Sequence, residues 1–157
     1  MEIRMTARQL IDDFLAQKRI AVIGVSRNSR DFTRAMFNEF VRRGYDAVPV
    51  NPNAAEIDGR KTFARAGLID PKVEAALIMT PATQSEAVAR ECAEAGIQRV
   101  WFYRATGRGA VDERAVDFCE SRGMQVVAGR CPFMFFPGPG FHGMHAFLVK
   151  LIGRYPR

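Results

Sequence analysis

Short apolar runs alternate with longer amphipathic stretches throughout the chain. Residues 19–24 read RIAVIG, a continuous β-branched run of the kind buried on both faces in a parallel sheet. DAVPV at 46–50, AALIM at 75–79, RVWFY at 99–103 and QVVA at 125–128 repeat it, and a short extended piece is expected at 61–63. Between them lie helical patterns. Thr6 with Gln9 forms a capping-box signature, with Met5 and Leu10 as its staple, and predicts a helix over 7–16. Phe32, Ala35, Met36 and Phe40 share the inner face of a second helix that stops at Gly44. A weak helical turn precedes residue 75, and a third helix starts near 83. Its inner residues are Val88, Cys92 and Ala95, with Glu86 and Arg90 paired four apart outside and Gly96 as its stop. Asp112 is expected to cap a fourth helix, stapled by Val111 and Val116 and ended by Gly123. A Pro/Gly-rich loop over 129–140 leads to an amphipathic terminal helix bearing Phe141, Met144, Leu148 and Leu151.

Strands that alternate with helices call for βαβ units with right-handed crossovers. The expected architecture is α/β, a Rossmann-like doubly wound parallel sheet in three layers, α/β/α, forming a single domain. A core over 18–138 is flanked by an N-terminal helix in 1–17 and a C-terminal helix in 139–157 that packs on the same domain. Ligands in such sheets sit outside the carboxyl ends of the strands, so function is expected in residues 24–31, 51–54, 80–83, 103–110 and 129–140.

Composition narrows the class. The 157 residues are 48% hydrophobic and 25% charged, a globular balance that excludes collagen, coiled coil and disorder. No apolar run approaches the roughly 18 residues of a membrane span, and residues 1–4 lack a secretory leader's apolar stretch, so a cytoplasmic protein is expected. The net charge of +6 favours an anionic partner. Its 23 basic residues are nearly all Arg, scattered along the chain without a stripe or tail. That pattern suits a phosphorylated small molecule better than nucleic acid. Cys92, Cys119 and Cys131 form no zinc spacing, and the first two fall on inner helix faces. His142 and His145, three apart, have no third ligand nearby, so no metal is expected.

The strand ends carry the candidate chemistry. The first loop runs Gly24-Val25-Ser26-Arg27-Asn28-Ser29-Arg30-Asp31. A glycine turn between strand and helix aims backbone N–H groups and a helix's positive end at a phosphate. A dinucleotide GxGxxG fingerprint needs Gly at 26 and 29, and both are Ser, so an ordinary tight turn stays open. After the second strand come Asn51, Pro52 and Asn53, with no carboxylate placed to accept a ribose diol, which disfavours NAD.

Taken in order, these segments resemble the CoA-binding domain family. This is the Rossmann-like domain that opens the α subunit of succinyl-CoA synthetase and also occurs as stand-alone bacterial proteins. The resemblance rests on Gly24-x-Ser26 after the first strand, Val50-Asn51-Pro52 after the second, and Thr80-Pro81-Ala82 further on. Ala95-Gly96 before the strand with Trp101, then Arg130-Cys131-Pro132 and Pro137-Gly138, complete it. It implies a CoA or acyl-CoA ligand, with phosphates at Gly24, Val25, Ser26 and Asn28 and the adenosine end at Asn51 and Pro52. Thr80, Pro81 and Ala82 would border the nucleotide. The chain departs from the family in lacking a Lys after Pro52, where Asn53 and Ala54 stand. Arg27, Arg30 or Arg34 must then supply that charge, or CoA affinity is lost. The ligase's phosphorylated-His domain and nucleotide-grasping partner have no counterpart in these 157 residues, so a non-catalytic binding or regulatory module is expected.

Cys131 is the one candidate for thiol chemistry, if Arg130 lowers its pKa, against the reading of a packing residue. Tyr103, Arg104 and Thr106 follow a strand end, with Tyr103 a candidate ligand contact. The Phe133–Phe136 segment is expected to cover the sheet, with a pantetheine tunnel or a homodimer patch as alternatives. Two other functional classes stay open. One is an NAD(P)- or flavin-binding oxidoreductase; the other is a protein-interaction module with a degenerate pocket.

Overall fold

The computed structural model describes residues 3–136; the expected terminal helix from Phe141 lies outside them. Five parallel strands form one sheet in the order β2-β1-β5-β6-β7: β1 (Arg19–Ile23), β2 (Asp46–Val50), β5 (Ala75–Ile78), β6 (Arg99–Phe102) and β7 (Gln125–Ala128). The helices are α1 (Ala7–Leu15), α2 (Phe32–Arg42), α3 (Ala82–Glu94) and α4 (Glu113–Ser121). This is the expected single-domain, doubly wound α/β fold. No helix among the described residues is long and apolar enough to cross a membrane.

Alternate strand residues enter two separate cores, which is why the strands read as unbroken apolar runs. Ala21, Ile23, Val48, Ala76, Ile78, Val100 and Phe102 face α3 and α4. Ile20, Val22, Ala47, Leu77, Trp101 and Val127 face α1 and α2. Pro49 is tolerated because β2 is an edge strand of this sheet, where a missing donor breaks no ladder. The capping box opens α1 as expected: Gln9 N donates to Thr6 Oγ1 at 3.2 Å and Thr6 N to Gln9 Oε1 at 2.8 Å.

Several local expectations are corrected. The buried face of α2 is Arg34, Met36, Phe37, Glu39 and Phe40, while Ala35 is only partly buried. Burial alone raises the Glu39 carboxyl's pKa; Arg42 and Arg43, at 2.6 and 2.7 Å, more than offset this and hold it below its ordinary value. On α3 the fully buried residues are Ser85, Ala89 and Cys92, with Val88 and Ala95 at the margin. Asp112 stands at the N-cap position of α4 without a side-chain cap bond, and its carboxylate accepts from Arg108 at 3.4 Å.

The extended piece after β2 is a hairpin, β3 (Glu56–Ile57) with β4 (Arg60–Lys61). Asp58 and Gly59 form its two-residue turn with φ of 49° and 77°, both positive as a type I′ turn requires. Ile57 anchors the hairpin in the α1/α2-side core, and Arg60 ties it to Asp46 at 3.4 Å.

Candidate functional site

The strand order reverses between β1 and β5, and the crevice at their carboxyl ends is where a doubly wound sheet receives its ligand. Gly24 closes this crevice. Its φ is +96°, and a Cβ there would lie 3.1 Å from Met79 C and Thr80 N. Gly24 N donates to Val50 O and Ile23 O accepts from Met79 N, so the consecutive residues Ile23 and Gly24 tie the end of β1 to the ends of β2 and β5.

The loop that follows is held by its own side chains. Thr33 Oγ1 accepts from Ser26 N at 2.9 Å, Ser26 Oγ from Asn28 N at 3.0 Å, and Asn28 Oδ1 from Arg30 N at 3.0 Å. Asp31 caps α2 by accepting from Thr33 N at 2.8 Å. The expected presentation of loop amides to a phosphate is therefore modified. The amides of Ser26, Asn28 and Arg30 are engaged within the loop, and the positive end of α2 already faces a carboxylate. What the loop presents outward is Arg27 and Arg30, both exposed. Neither forms an ion pair among the described residues.

A second helix opens at the same crevice with a different ending. The residue before α3 is Pro81, which supplies no side-chain cap, and no acidic residue lies in the first turn. Its N-terminal amides and positive dipole end are thus uncompensated by charge. Thr80 Oγ1, one residue earlier, is buried without a hydrogen-bond partner among the described residues.

Beyond β6 and β7, Tyr103 packs on Phe32 of α2 with ring centroids 5.1 Å apart, bringing that strand end against the first loop's helix. Tyr103 and Cys131 belong to the same α1/α2-side core. Burial dominates both groups and pushes the Cys131 thiol up to about 11; Tyr103 is raised far above the ordinary phenol value. Cys131 is 7% exposed, so burial overrides any influence of Arg130, and the thiol is protonated at neutral pH. Arg104 N and Trp101 Nε1 both donate to Arg130 O, each at 3.2 Å. The Arg104 and Arg130 side chains are exposed. The phenylalanines behave as a cover: Phe133 and Phe136 are buried against α2, with Phe136 5.0 Å from Phe40.

One consequence is chemical. Cys92, Cys119 and Cys131 are all buried with raised pKa values. A disulfide reagent at pH 7.5 is therefore expected to modify native thiols about 100-fold more slowly than the unfolded chain's. A single fast native thiol that disappears in Cys131→Ser would reverse this and return Cys131 to the candidate nucleophiles.

The sequence-derived residues separate on this geometry. Gly24 and Thr80 meet at the crevice, with Ser26 and Pro81 next to them along the chain and Ala82 opening α3, whereas the Val25 side chain is fully buried in the α1/α2-side core. Asn51 is a brace: its Nδ2 donates to Val25 O at 2.8 Å and its Oδ1 accepts from Asn53 N at 2.7 Å. Pro52 and Asn53 are exposed beside it. Arg34 is no spare charge. It is 6% exposed, its Nη1 donates to Arg27 O at 3.1 Å, and its Nη2 pairs with Asp58 at 2.6 Å. Sequence reasoning missed Asp58, although the Asp58-Gly59 dipeptide is a strong hairpin signal. No group of side chains suited to a metal occurs among the described residues.

Comparison with known proteins bears on the family and the fold. A model described as a CoA binding domain matches residues 18–137. The uncharacterized protein YneT of Bacillus subtilis (strain 168) is 30% identical over 118 residues, 73% of this chain and 82% of that protein. A trans-feruloyl-CoA synthase, FCS1, from an unknown prokaryotic organism is 27% identical over 150 residues; these are 94% of this chain but 21% of the synthase. A hypothetical protein from Pyrococcus horikoshii OT3 shares the fold with a TM-score of 0.74 at 24% identity, covering 84% of this chain and 93% of that one. The apo dinucleotide-forming acetyl-coenzyme A synthetase 1 of Ca. Korarchaeum cryptofilum superposes with a TM-score of 0.62 at 25% identity, over 69% of this chain and 25% of the synthetase. The matched segment begins one residue before β1 and takes in all five strands of the sheet, and on that ground the chain belongs to the CoA binding domain family.

Proposed function

We propose that this protein binds CoA or an acyl-CoA across the β1/β5 crevice and acts as a binding or regulatory module rather than as a catalyst. The observation that carries the reading is the pair Arg27 and Arg30, exposed on the crevice loop with no carboxylate partner among the described residues. They stand in for the family's missing Lys and suit the phosphates of CoA. The uncapped N-terminus of α3 and the unpartnered Thr80 hydroxyl supply further donors at the same place. An acyl-CoA is included because two larger relatives are a feruloyl-CoA synthase and an acetyl-coenzyme A synthetase. The binding rather than catalytic reading is supported by Cys131, the one candidate for thiol chemistry, being 7% exposed and so shielded from a substrate.

Thermal-shift titration against CoA, acetyl-CoA, dephospho-CoA, NAD and FMN tests this. CoA at one hundred times its Kd is expected to add about 2.7 kcal/mol and raise Tm by about 5–10 °C. Arg27→Glu with Arg30→Glu should weaken CoA by about 100-fold or more, with little change in the unliganded Tm. A response to NAD or FMN but not CoA overturns the reading in favour of an oxidoreductase. Silence from every nucleotide favours a protein-interaction module.

A further inference from the structure

The Arg34–Asp58 pair lies outside the ligand-facing residues, yet it connects two elements that the ligand would need in register. Arg34 is 6% exposed, and its guanidinium faces three acceptors: Ser26 O at 3.4 Å, Arg27 O at 3.1 Å and Asp58 Oδ1 at 2.6 Å. Its Nε has no hydrogen-bond partner among the described residues. The two carbonyls belong to the crevice loop and the carboxylate to the hairpin turn. Asp58 is the sole carboxylate on this buried cation among the described residues. A buried guanidinium without its counter-charge is strongly disfavoured, so Asp58 decides whether Arg34 stays where it can hold the loop.

The hairpin is itself fixed. Ile57 is buried in the α1/α2-side core, and Arg60 reaches back to Asp46 and to Ala47 O at 3.5 Å. Asp58 therefore projects from a rigid base. From this we propose that Asp58 is a positioning residue for the CoA site. Through Arg34 it clamps the backbone of Ser26 and Arg27, and so fixes the loop in the form that aims Arg27 and Arg30 at the ligand's phosphates. The inference rests on the CoA reading of the same crevice, but its structural half is measurable without ligand.

The test uses the full chain and two variants. Asp58→Asn keeps a residue that tolerates the φ of 49° while removing the charge. Arg34→Met with Asp58→Asn removes the buried charge as well, which protects folding. In both, amide hydrogen exchange over 26–33 is expected to quicken on the order of tenfold, with the body of α2 unchanged. CoA affinity should fall by about three- to thirty-fold. The double variant should recover the Tm lost in Asp58→Asn but recover neither loop protection nor CoA affinity. That split separates positioning from charge compensation. Unchanged exchange in both variants overturns the proposal. So does CoA affinity that returns in the double variant, or that tightens in Asp58→Asn, since a tighter complex would mean that Asp58 competes with the ligand for Arg34. A wild-type chain that ignores CoA defeats the CoA reading alone, and the exchange measurement then still decides the clamp.

Discussion

Gly24→Ala should destabilise the protein by about 2–3 kcal/mol and abolish its response to CoA, whereas Gly44→Ala should cost only about 1 kcal/mol and leave that response intact. Both glycines have positive φ, +96° and +90°, so an L side chain is strained at either. Around Gly44 a new Cβ meets nothing within 4 Å. Around Gly24 it meets the backbone of Met79 and Thr80 at 3.1 Å, and backbone at a strand end cannot swing aside like the tip of a flexible side chain. The added methyl must push β1 and β5 apart at their carboxyl ends, which opens the crevice and displaces the start of α3. Urea unfolding of the two variants beside CoA titration checks this. Equal costs at the two sites would mean that conformation, and not close approach, requires glycine at 24.

The contrast between those two glycines also marks what a sequence can convey. The strands were legible because burial on both faces forces apolar runs, as in residues 20–23, and α1 because Thr6 and Gln9 carry a cap within one turn. Gly24 was legible as a turn. That it must admit Met79 and Thr80 depends on the pairing of β1 with β5, a contact that local spacing does not encode. Arg34 shows the same limit. It lies four residues after Arg30, yet one guanidinium is buried against loop carbonyls and the other is exposed. Helical periodicity identified the face through Met36 and Phe40 but left Arg34 beside Arg27 and Arg30 as a possible charge for the ligand. The hairpin escaped because strands of two residues are too short to show alternation, leaving only its Asp58-Gly59 turn as a signal. The loop amides escaped for a further reason. Two of their acceptors, Ser26 and Asn28, also read as ligand contacts, and only geometry decides which partner they take.

Trp101→Ala should be the most damaging change in the α1/α2-side core, at about 3–5 kcal/mol, a large share of the roughly 5–15 kcal/mol that holds a domain folded. Trp101 is fully buried on β6, edge-on to Phe14 of α1 at 5.3 Å and 6.1 Å from Phe135. It therefore joins the sheet, the first helix and the phenylalanine cover in a single contact. Its Nε1 also donates to Arg130 O, on a residue whose φ of 74° is left-handed without being glycine. Trp101→Phe separates the two roles. It keeps most of the ring packing and loses that hydrogen bond, while Arg104 N still satisfies the carbonyl, so its cost should be nearer 1–2 kcal/mol. Denaturant midpoints for the two variants, with the native thiol reaction rate as a second readout, decide the matter. In Trp101→Ala the segment carrying Arg130, Cys131 and Phe135 loses its inner support, so Cys131 should become reactive; in Trp101→Phe it should stay protected. If Trp101→Ala leaves the thiol as slow as in the native chain, the cover is held by Phe133 and Phe136 on α2 rather than by β6.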